Sequence, residues 1–436
     1  MKDMREVLRG RLWVVFIVAL AMLFWILNVF FSSQERSVYI QSTEDREVQA
    51  HVIIEHGASA PGLAHYVEHL AWLNTMGAKQ RGADRHSNAW TSPYAVGYWL
   101  SGKPAELDEI LQTLSGLFDP LEVPVAFADA ERDIILREYE SHMVDKPDAQ
   151  AAEAMNAFLY ADNSMASSVI GTPDDISTLD YDEARALHEA THQPDNATLV
   201  VTGGVSERQV SRALQGVGWP ELEKENADIA PPIFELASPA KTMLRYPQAS
   251  ASPRLTLRKV VALPEPVPFD LLEAHTTLLR DILDTNLPGG LAGPLRFDAT
   301  IARRFDVRVW PIDERHIELS FTAAPDREVS LIDMGDAFEE TLAEIAAAGI
   351  PEETYNRVFN RLEHFWPDWD DSDESARWMA DYVLDRVAAL RKPLQLSDVK
   401  RLKRNLSHQT INTLLNEIAG EGRTAVAFIG PEERFE

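Results

Sequence analysis

Two histidines and a glutamate stand close together early in the chain. The segment PGLAHYVEHLAWLNT, residues 61–75, contains the pattern H-x-x-E-H, formed by His65, Glu68 and His69. On a helix, two histidines four residues apart lie on one face, one turn apart, so their imidazoles can bind the same metal ion. A glutamate on that side can take a proton from water that the metal has made acidic. The pattern therefore predicts a hydrolytic metal centre.

The helix that carries this pattern is predicted to be buried. The alternative is a surface helix with two solvated histidines, but Leu63, Leu70 and Trp72 make the segment too apolar for a free surface. Chance is also a poor explanation, because 12 histidines in 436 residues rarely produce such a pentad. A metal site is the favoured interpretation.

A hydrolytic zinc site needs a third protein ligand and one open position. The chain has no cysteine, so histidines and carboxylates must hold any metal. Residues 125–143 have helical patterning, and within them Glu131 and Glu138 stand seven apart, two turns apart on one face. Spacing alone does not choose Glu138 over Glu131 or Glu140 as the third ligand.

Composition limits the class of protein that carries this site. A chain of 436 residues is too long for one ordinary core, which predicts two domains. Its 45% hydrophobic and 25% charged residues are typical of a folded globular protein. With 41 basic and 69 acidic residues the net charge is −28, which argues against nucleic acid as a partner.

An apolar segment near the N-terminus predicts a membrane anchor. Residues 12–31, LWVVFIVALAMLFWILNVFF, would span about 30 Å as a helix, at about 1.5 Å per residue. The alternative is a cleaved signal peptide, but the run is longer than such a region and no small-x-small cleavage site follows it. Lys2, Arg5, Arg9 and Arg11 precede the span, so the positive-inside rule predicts a cytoplasmic segment 1–11. The chain is then a single-pass inner-membrane protein with its other domains in the periplasm.

The exported part divides into two similar halves. TAVAFIGPEE at 424–433 echoes TLVVTGGVSE at 198–207, each an apolar strand that leads into glycine and an acidic turn. Between the halves, residues 221–253 are rich in proline, alanine, serine and charge, with little periodicity. We therefore expect a first domain over 38–220, a linker over 221–253 and a second, homologous domain over 254–436.

Several segments together resemble one known family. H-x-x-E-H within GLAHYVEHL, then SNAWTSPYAVGYWL and ERDIILREYE, is similar to the pitrilysin, insulin-degrading enzyme and mitochondrial processing peptidase family of inverted-zincin metallopeptidases. The resemblance continues through IGTPDDISTLDYDEARALHEATHQPDNATLVVTGGV and covers residues 40–210. It implies an α+β fold in which two homologous α/β-sandwich domains stand in tandem, here after one N-terminal transmembrane helix.

The resemblance also implies a role for individual residues and a Zn²⁺ cofactor. His65, His69 and Glu138 match the zinc ligands, and Glu68 matches the general base. Glu131 matches a supporting glutamate. The segment Asn88, Ala89 and Trp90 matches the edge strand that pairs with an extended peptide substrate.

The family's second unit usually presents an arginine and, seven residues later, a tyrosine that bind the substrate carbonyl. Arg296 matches the arginine, but Arg303 stands in the place of the tyrosine. We therefore expect a second family subunit that supplies the pair in a heterodimer, or a homodimer in which Arg303 or Arg304 acts instead. The predicted function is that of a membrane-anchored zinc metalloendopeptidase for peptides or unfolded segments, and the alternative is a catalytically silent scaffold or assembly subunit.

Overall fold

The computed structural model describes residues 38–57, 59–77, 86–161, 163–219, 234–365, 373–394 and 396–436. The predicted cytoplasmic segment 1–11 and membrane anchor 12–31 lie outside these ranges. Within them, none of the helices combines the length and the apolar character needed to cross a bilayer.

The first half is built on a five-stranded mixed sheet. Its strands are β1 (Val38–Ser42), β2 (Val48–Glu55), β3 (Ser87–Thr91), β4 (Ala95–Gly102) and β5 (Ala197–Gly203), in the order β1-β5-β2-β4-β3. β1 runs parallel to β5, and the other neighbours are antiparallel. The helices of this half are α1 (Leu63–Met76), α2 (Leu107–Ser115), α3 (Val125–Met143), α4 (Pro147–Leu159), α5 (Pro173–Thr178), α6 (Tyr181–Thr191) and α7 (Glu207–Val217).

The second half repeats this topology. Its strands are β6 (Ala240–Pro247), β7 (Arg254–Ala262), β8 (Ala302–Pro311), β9 (His316–Pro325) and β10 (Arg423–Gly430), in the order β6-β10-β7-β9-β8. The helices are α8 (Phe269–Leu283), α9 (Leu331–Ala348), α10 (Glu352–Phe365), α11 (Asp373–Ala388), α12 (Leu396–Asn405) and α13 (His408–Ala419). β5 and β10, which carry the sequence echo, occupy the same place in their sheets, and the predicted α+β fold with two similar halves is confirmed.

One predicted boundary is wrong. Residues 221–253 were expected to form a linker, but β6 lies inside this range and pairs with β10 along its whole length. None of the β6 side chains is buried, because the strand stands at the edge of its sheet. Its half-buried residues Thr242, Leu244 and Tyr246 alternate with exposed ones, but the exposed Met243 interrupts the hydrophobic alternation in the sequence.

Each sheet is covered on one face by a helix from the other half. α4, from the first half, packs on β10 and β6 of the second sheet. α11, from the second half, packs on β1 and β5 of the first sheet. On the second sheet, α4 packs its apolar residues Ala151, Met155 and Leu159 against Ala425, Ala427 and Ile429. On the first sheet, α11 packs Met379, Val383 and Val387 against Ile53 and Val200. The two halves therefore share their cores.

A buried ion pair lies where α4 meets the second sheet. Glu318, on β9, is fully buried and accepts a hydrogen bond from Arg258 Nε on β7 at 2.5 Å. The Tyr160 hydroxyl donates to the same carboxylate, and Arg258 Nη1 donates to Asn156 Oδ1 at 2.6 Å. A buried charge is tolerated only when it is paired and hydrogen-bonded, so these contacts fix α4 in one position on the sheet.

We predict that Glu318→Ala lowers the free energy of unfolding by about 3–5 kcal/mol, because it leaves the half-buried Arg258 guanidinium without its counter-charge. The matched control is Glu339→Ala, which removes the partner of Lys241 from an ion pair on the surface. This second change is expected to cost less than about 1 kcal/mol. Urea denaturation of both variants measures the difference, and equal losses would contradict the role assigned to the buried pair.

Candidate metal centre

Helix α1 holds the two histidines in a buried position. It starts after Gly62, whose φ of +77° is in the left-handed region and whose added Cβ would lie 3.0 Å from the Ile170 carbonyl oxygen. One side of α1 packs on the first sheet and another side packs on α3. The Tyr66 hydroxyl, from the middle of the motif, donates to the Ala128 carbonyl oxygen of α3 at 3.0 Å. The chain before and after the histidines is therefore fixed against both neighbours.

Helix α3 brings a carboxylate to the two imidazoles. Glu138 Oε2 lies 3.7 Å from His65 Nε2 and 3.4 Å from His69 Nε2. One ligand atom from each of these three residues lies within 4.8 Å of the other two, a separation suited to ligands that share one metal ion. The structure thus selects Glu138 among the three glutamates that spacing left open.

Glu131 has a different place in the site. Its Oε2 accepts a hydrogen bond from His69 Nδ1 at 2.9 Å, and both side chains are buried. This bond fixes the ring of His69 with Nε2 directed at the other ligands, which is the usual arrangement behind a metal-binding histidine. Glu131 thus supports the ring of His69 from behind, whereas Glu138, seven residues later, lies with the ligand set.

The surroundings of the site shift the pKa values of its two imidazoles in opposite directions. Burial opposes the charged form of His69, but hydrogen bonds to Glu131 and Glu138 raise its pKa to about 9. Burial, and then the charge of His69, lowers the pKa of His65 to about 4. Burial works against the charged form of Glu138, yet its hydrogen bond with His69 keeps the pKa of that carboxyl below its ordinary value. Two imidazoles and one carboxylate, placed this close together, are ligand types that suit a zinc ion.

Glu68 lies beside this ligand set. The residue is 8% exposed, and its Oε2 lies 3.8 Å from His65 Nε2. The same oxygen accepts a hydrogen bond from Thr91 Oγ1 at 2.8 Å. A carboxylate in this position is within reach of a water that occupies the open side of the metal centre.

The centre opens into a cavity of about 900 Å³. Its walls include all of β3, with Asn88, Ala89 and Trp90, and the apolar side chains of Trp72, Phe127 and Ile134. β3 is the last strand of the first sheet and pairs with β4 on one side, so its other edge presents backbone donors and acceptors to the cavity. The segment expected to be an edge strand is one, and it adjoins the ligand set.

Arg296 lies elsewhere. It stands in the π-helical turn Gly293–Asp298 of the second half and lines a separate cavity of about 400 Å³ with Arg357 and Arg361. Arg303 is exposed on β8, at an irregularity in the pairing with β9. The structure therefore does not bring Arg296 into the cavity that holds His65, His69 and Glu138.

Sequence reasoning missed Thr91, which touches Glu68. The only signal was its place directly after the predicted edge strand, and a threonine at a strand end is too common to indicate a function. The contact arises because β3 passes over α1, a relation between elements that no local pattern expresses.

Comparison with known proteins finds similarity to one family over part of the chain. Residues 36–173 match a family model described as Insulinase (Peptidase family M16). The mitochondrial-processing peptidase subunit beta of Saccharomyces cerevisiae is 23% identical over 190 residues, which are 41% of this chain and 40% of that protein. An uncharacterized zinc protease of Mycobacterium leprae is 24% identical over 158 residues, 35% of each protein. These matches agree with the predicted resemblance to this family, and the chain aligns with only 40% of the yeast protein's length.

Solved structures share the fold over nearly the whole chain. The first half of the periplasmic protease PqqL from Escherichia coli superposes with a TM-score of 0.72 at 17% identity, covering 91% of this chain and 90% of that one. A peptidase M16 inactive domain from Pseudomonas fluorescens gives a TM-score of 0.65 at 14% identity, covering 92% and 96%. Since an inactive domain has the same fold, the fold does not decide whether a chain is active, and activity depends on the residues of the site.

We predict that Glu131→Ala lowers the affinity for zinc by about 10- to 100-fold, because His69 loses the partner that orients its ring. Competition with a chromophoric chelator measures this affinity. Glu140→Ala is the matched control, since Glu140 is exposed on the same helix, and it is expected to leave zinc affinity unchanged. Equal affinities of the two variants would show that Glu131 has no part in holding the metal.

Proposed function

We propose that the chain is a zinc metalloendopeptidase that hydrolyses peptides or unfolded protein segments, a proposal that the match of residues 36–173 to the insulinase family, peptidase family M16, supports. The observation that carries this proposal is the meeting of His65, His69 and Glu138 beside Glu68 in one cavity. Three ligands leave a zinc ion one position for water or substrate, which is the arrangement of catalytic rather than structural zinc sites.

The chemistry follows from the positions of these groups. Zinc, when bound by His65, His69 and Glu138, supplies a Lewis acid that acidifies water and polarises a carbonyl. Glu68 takes a proton from the attacking water while the oxygen of that water forms a bond to the scissile carbonyl carbon. The same carboxylic acid then returns the proton to the amide nitrogen as the C–N bond breaks, so Glu68 ends the cycle as it began.

The edge of β3 supports a way to orient the substrate. An extended peptide that adds to this edge makes backbone hydrogen bonds irrespective of its sequence. Asn88, Ala89 and Trp90 would present these groups next to the ligand set. The nearby side chains of Trp72 and Phe127 would favour an apolar residue in the bound segment.

The alternative, a silent scaffold, finds less support in this chain. A scaffold needs the two sheets and the helices that cover them, and it needs no converging ligands. Here Glu68, His69 and Glu131 are buried, and one ligand atom from each of His65, His69 and Glu138 lies within 4.8 Å of the other two, an arrangement that a scaffold does not need. The intact ligand set therefore favours the enzyme.

We predict that Glu68→Gln keeps zinc and the fold but lowers turnover by about 10²-fold or more, because an amide cannot accept the proton. Hydrolysis of a quenched fluorescent peptide library, with zinc measured in the same samples, tests this expectation. Glu140→Gln, which removes an exposed carboxylate of α3, should retain full turnover. Activity of Glu68→Gln within twofold of the unaltered protein would refute the assignment of the base.

We further propose that the peptidase domains are periplasmic, anchored in the inner membrane by residues 12–31, and that a second subunit completes the site. The basic residues before the apolar run support this orientation. The position of Arg296, away from the metal cavity, supports a partner that supplies carbonyl-binding groups to it. A second family member in a heterodimer fits this need, and a homodimer is the alternative.

We predict that the full-length chain, tagged at its C-terminus, is extracted from membranes only by detergent and carries a second, different subunit. The tag should be cleaved by protease added to intact spheroplasts, since the positive-inside rule directs the C-terminus outward. Intact mass of the purified complex identifies the subunits. A protected tag would overturn the topology, and a fully active homodimer would overturn the heterodimer.

A further inference from the structure

We infer that Thr91 is a positioning residue that holds the carboxylate of Glu68 in its reactive orientation, an inference that rests on the proposed function. Thr91 Oγ1 donates to Glu68 Oε2 at 2.8 Å, and this same oxygen lies 3.8 Å from His65 Nε2. The hydroxyl therefore binds the carboxylate oxygen that lies beside the imidazole of His65. Nothing in the sequence motif or in the ligand set includes this contact.

Thr91 is itself held in place by the sheet. It is the last residue of β3 and pairs with Val96 of β4. A tight turn follows, in which the Ser92 amide donates to the Ala95 carbonyl oxygen at 2.8 Å and the Ala95 amide donates to Ser92 Oγ at 3.0 Å. The Thr91 side chain thus projects from a backbone that is fixed on both sides.

A second strand fastens the turn. The buried imidazole of His56, just after β2, donates from Nε2 to the Ser92 carbonyl oxygen at 3.0 Å. The His56 amide also donates to the Tyr94 carbonyl oxygen at 2.8 Å. The hydroxyl of Thr91 is therefore presented to Glu68 by a rigid support built from β2, β3 and β4.

Glu68 needs such a restraint because of where it stands. It follows His65 by three residues on the same helix, so a small rotation of its side chain would bring Oε2 among the ligand atoms. A fourth protein ligand would close the position that water and substrate must use. By binding Oε2, Thr91 keeps the carboxylate next to the metal centre as a base and prevents it from becoming a ligand.

The same hydrogen bond joins the base to the substrate edge. β3 supplies both Thr91 and the open edge that adjoins the cavity. A peptide aligned on this strand is thereby placed at a fixed distance from Glu68. Loss of the hydroxyl should consequently reduce kcat, which depends on this alignment, while it leaves KM nearly unchanged.

The test compares Thr91→Val, which keeps the shape but removes the donor, with Thr91→Ser, which keeps the donor. We expect Thr91→Val to lower kcat by about tenfold with KM within about twofold, and Thr91→Ser to recover most of the loss. Zinc affinity, measured by chelator competition, should not weaken in either variant. Thr256→Val, at a half-buried threonine on β7 of the other sheet, is the matched control and should behave as the unaltered protein.

A double-mutant cycle with Glu68→Gln separates positioning from folding. If Thr91 acts through Glu68, Thr91→Val should have no further effect in the Glu68→Gln background. Full activity of Thr91→Val, or an equal loss in both backgrounds, would overturn the inference and leave the proposed function intact. An unaltered protein, purified together with its second subunit, that binds zinc but turns over no peptide would overturn the proposed function and this inference with it.

Discussion

The hydrogen bond between His69 Nδ1 and Glu131 joins helices α1 and α3, and the arrangement of the metal centre depends on it. The bond fixes the ring of His69, whose Nε2 faces Glu138. Its other partner, Glu131, lies on α3, the helix that also carries Glu138. Since both partners are buried, water cannot replace either of them without a large cost. Two segments more than sixty residues apart are thereby held as one rigid unit.

The local parts of this site could be predicted from the sequence. The helical pattern over 125–143 gives the bounds that α3 has in the structure, because its face toward α1 repeats at helical spacing. The H-x-x-E-H pattern places three of the chemical groups, since a single helix turn decides their relation. The choice of Glu138 over Glu131 and Glu140 needed the angle between two helices, which spacing within one helix does not contain.

Features that depend on contacts between elements were beyond reach. β6 buries no side chain fully and its sequence alternates only weakly, and Thr91 meets Glu68 only because β3 passes over α1. Periodicity also shows that α4 and α11 each have an apolar face, but not which sheet receives it. The resemblance to a family supplied separate roles for Glu138 and Glu131, whereas the position of Arg296 in a separate cavity came only from the structure.

The exchange of covering helices makes the two halves behave as an intertwined dimer whose subunits happen to be joined head to tail. A break in the chain between the halves would not release them, because each would keep its helix inserted against the other's sheet. Either half alone would expose to water the sheet face that the other half's helix covers.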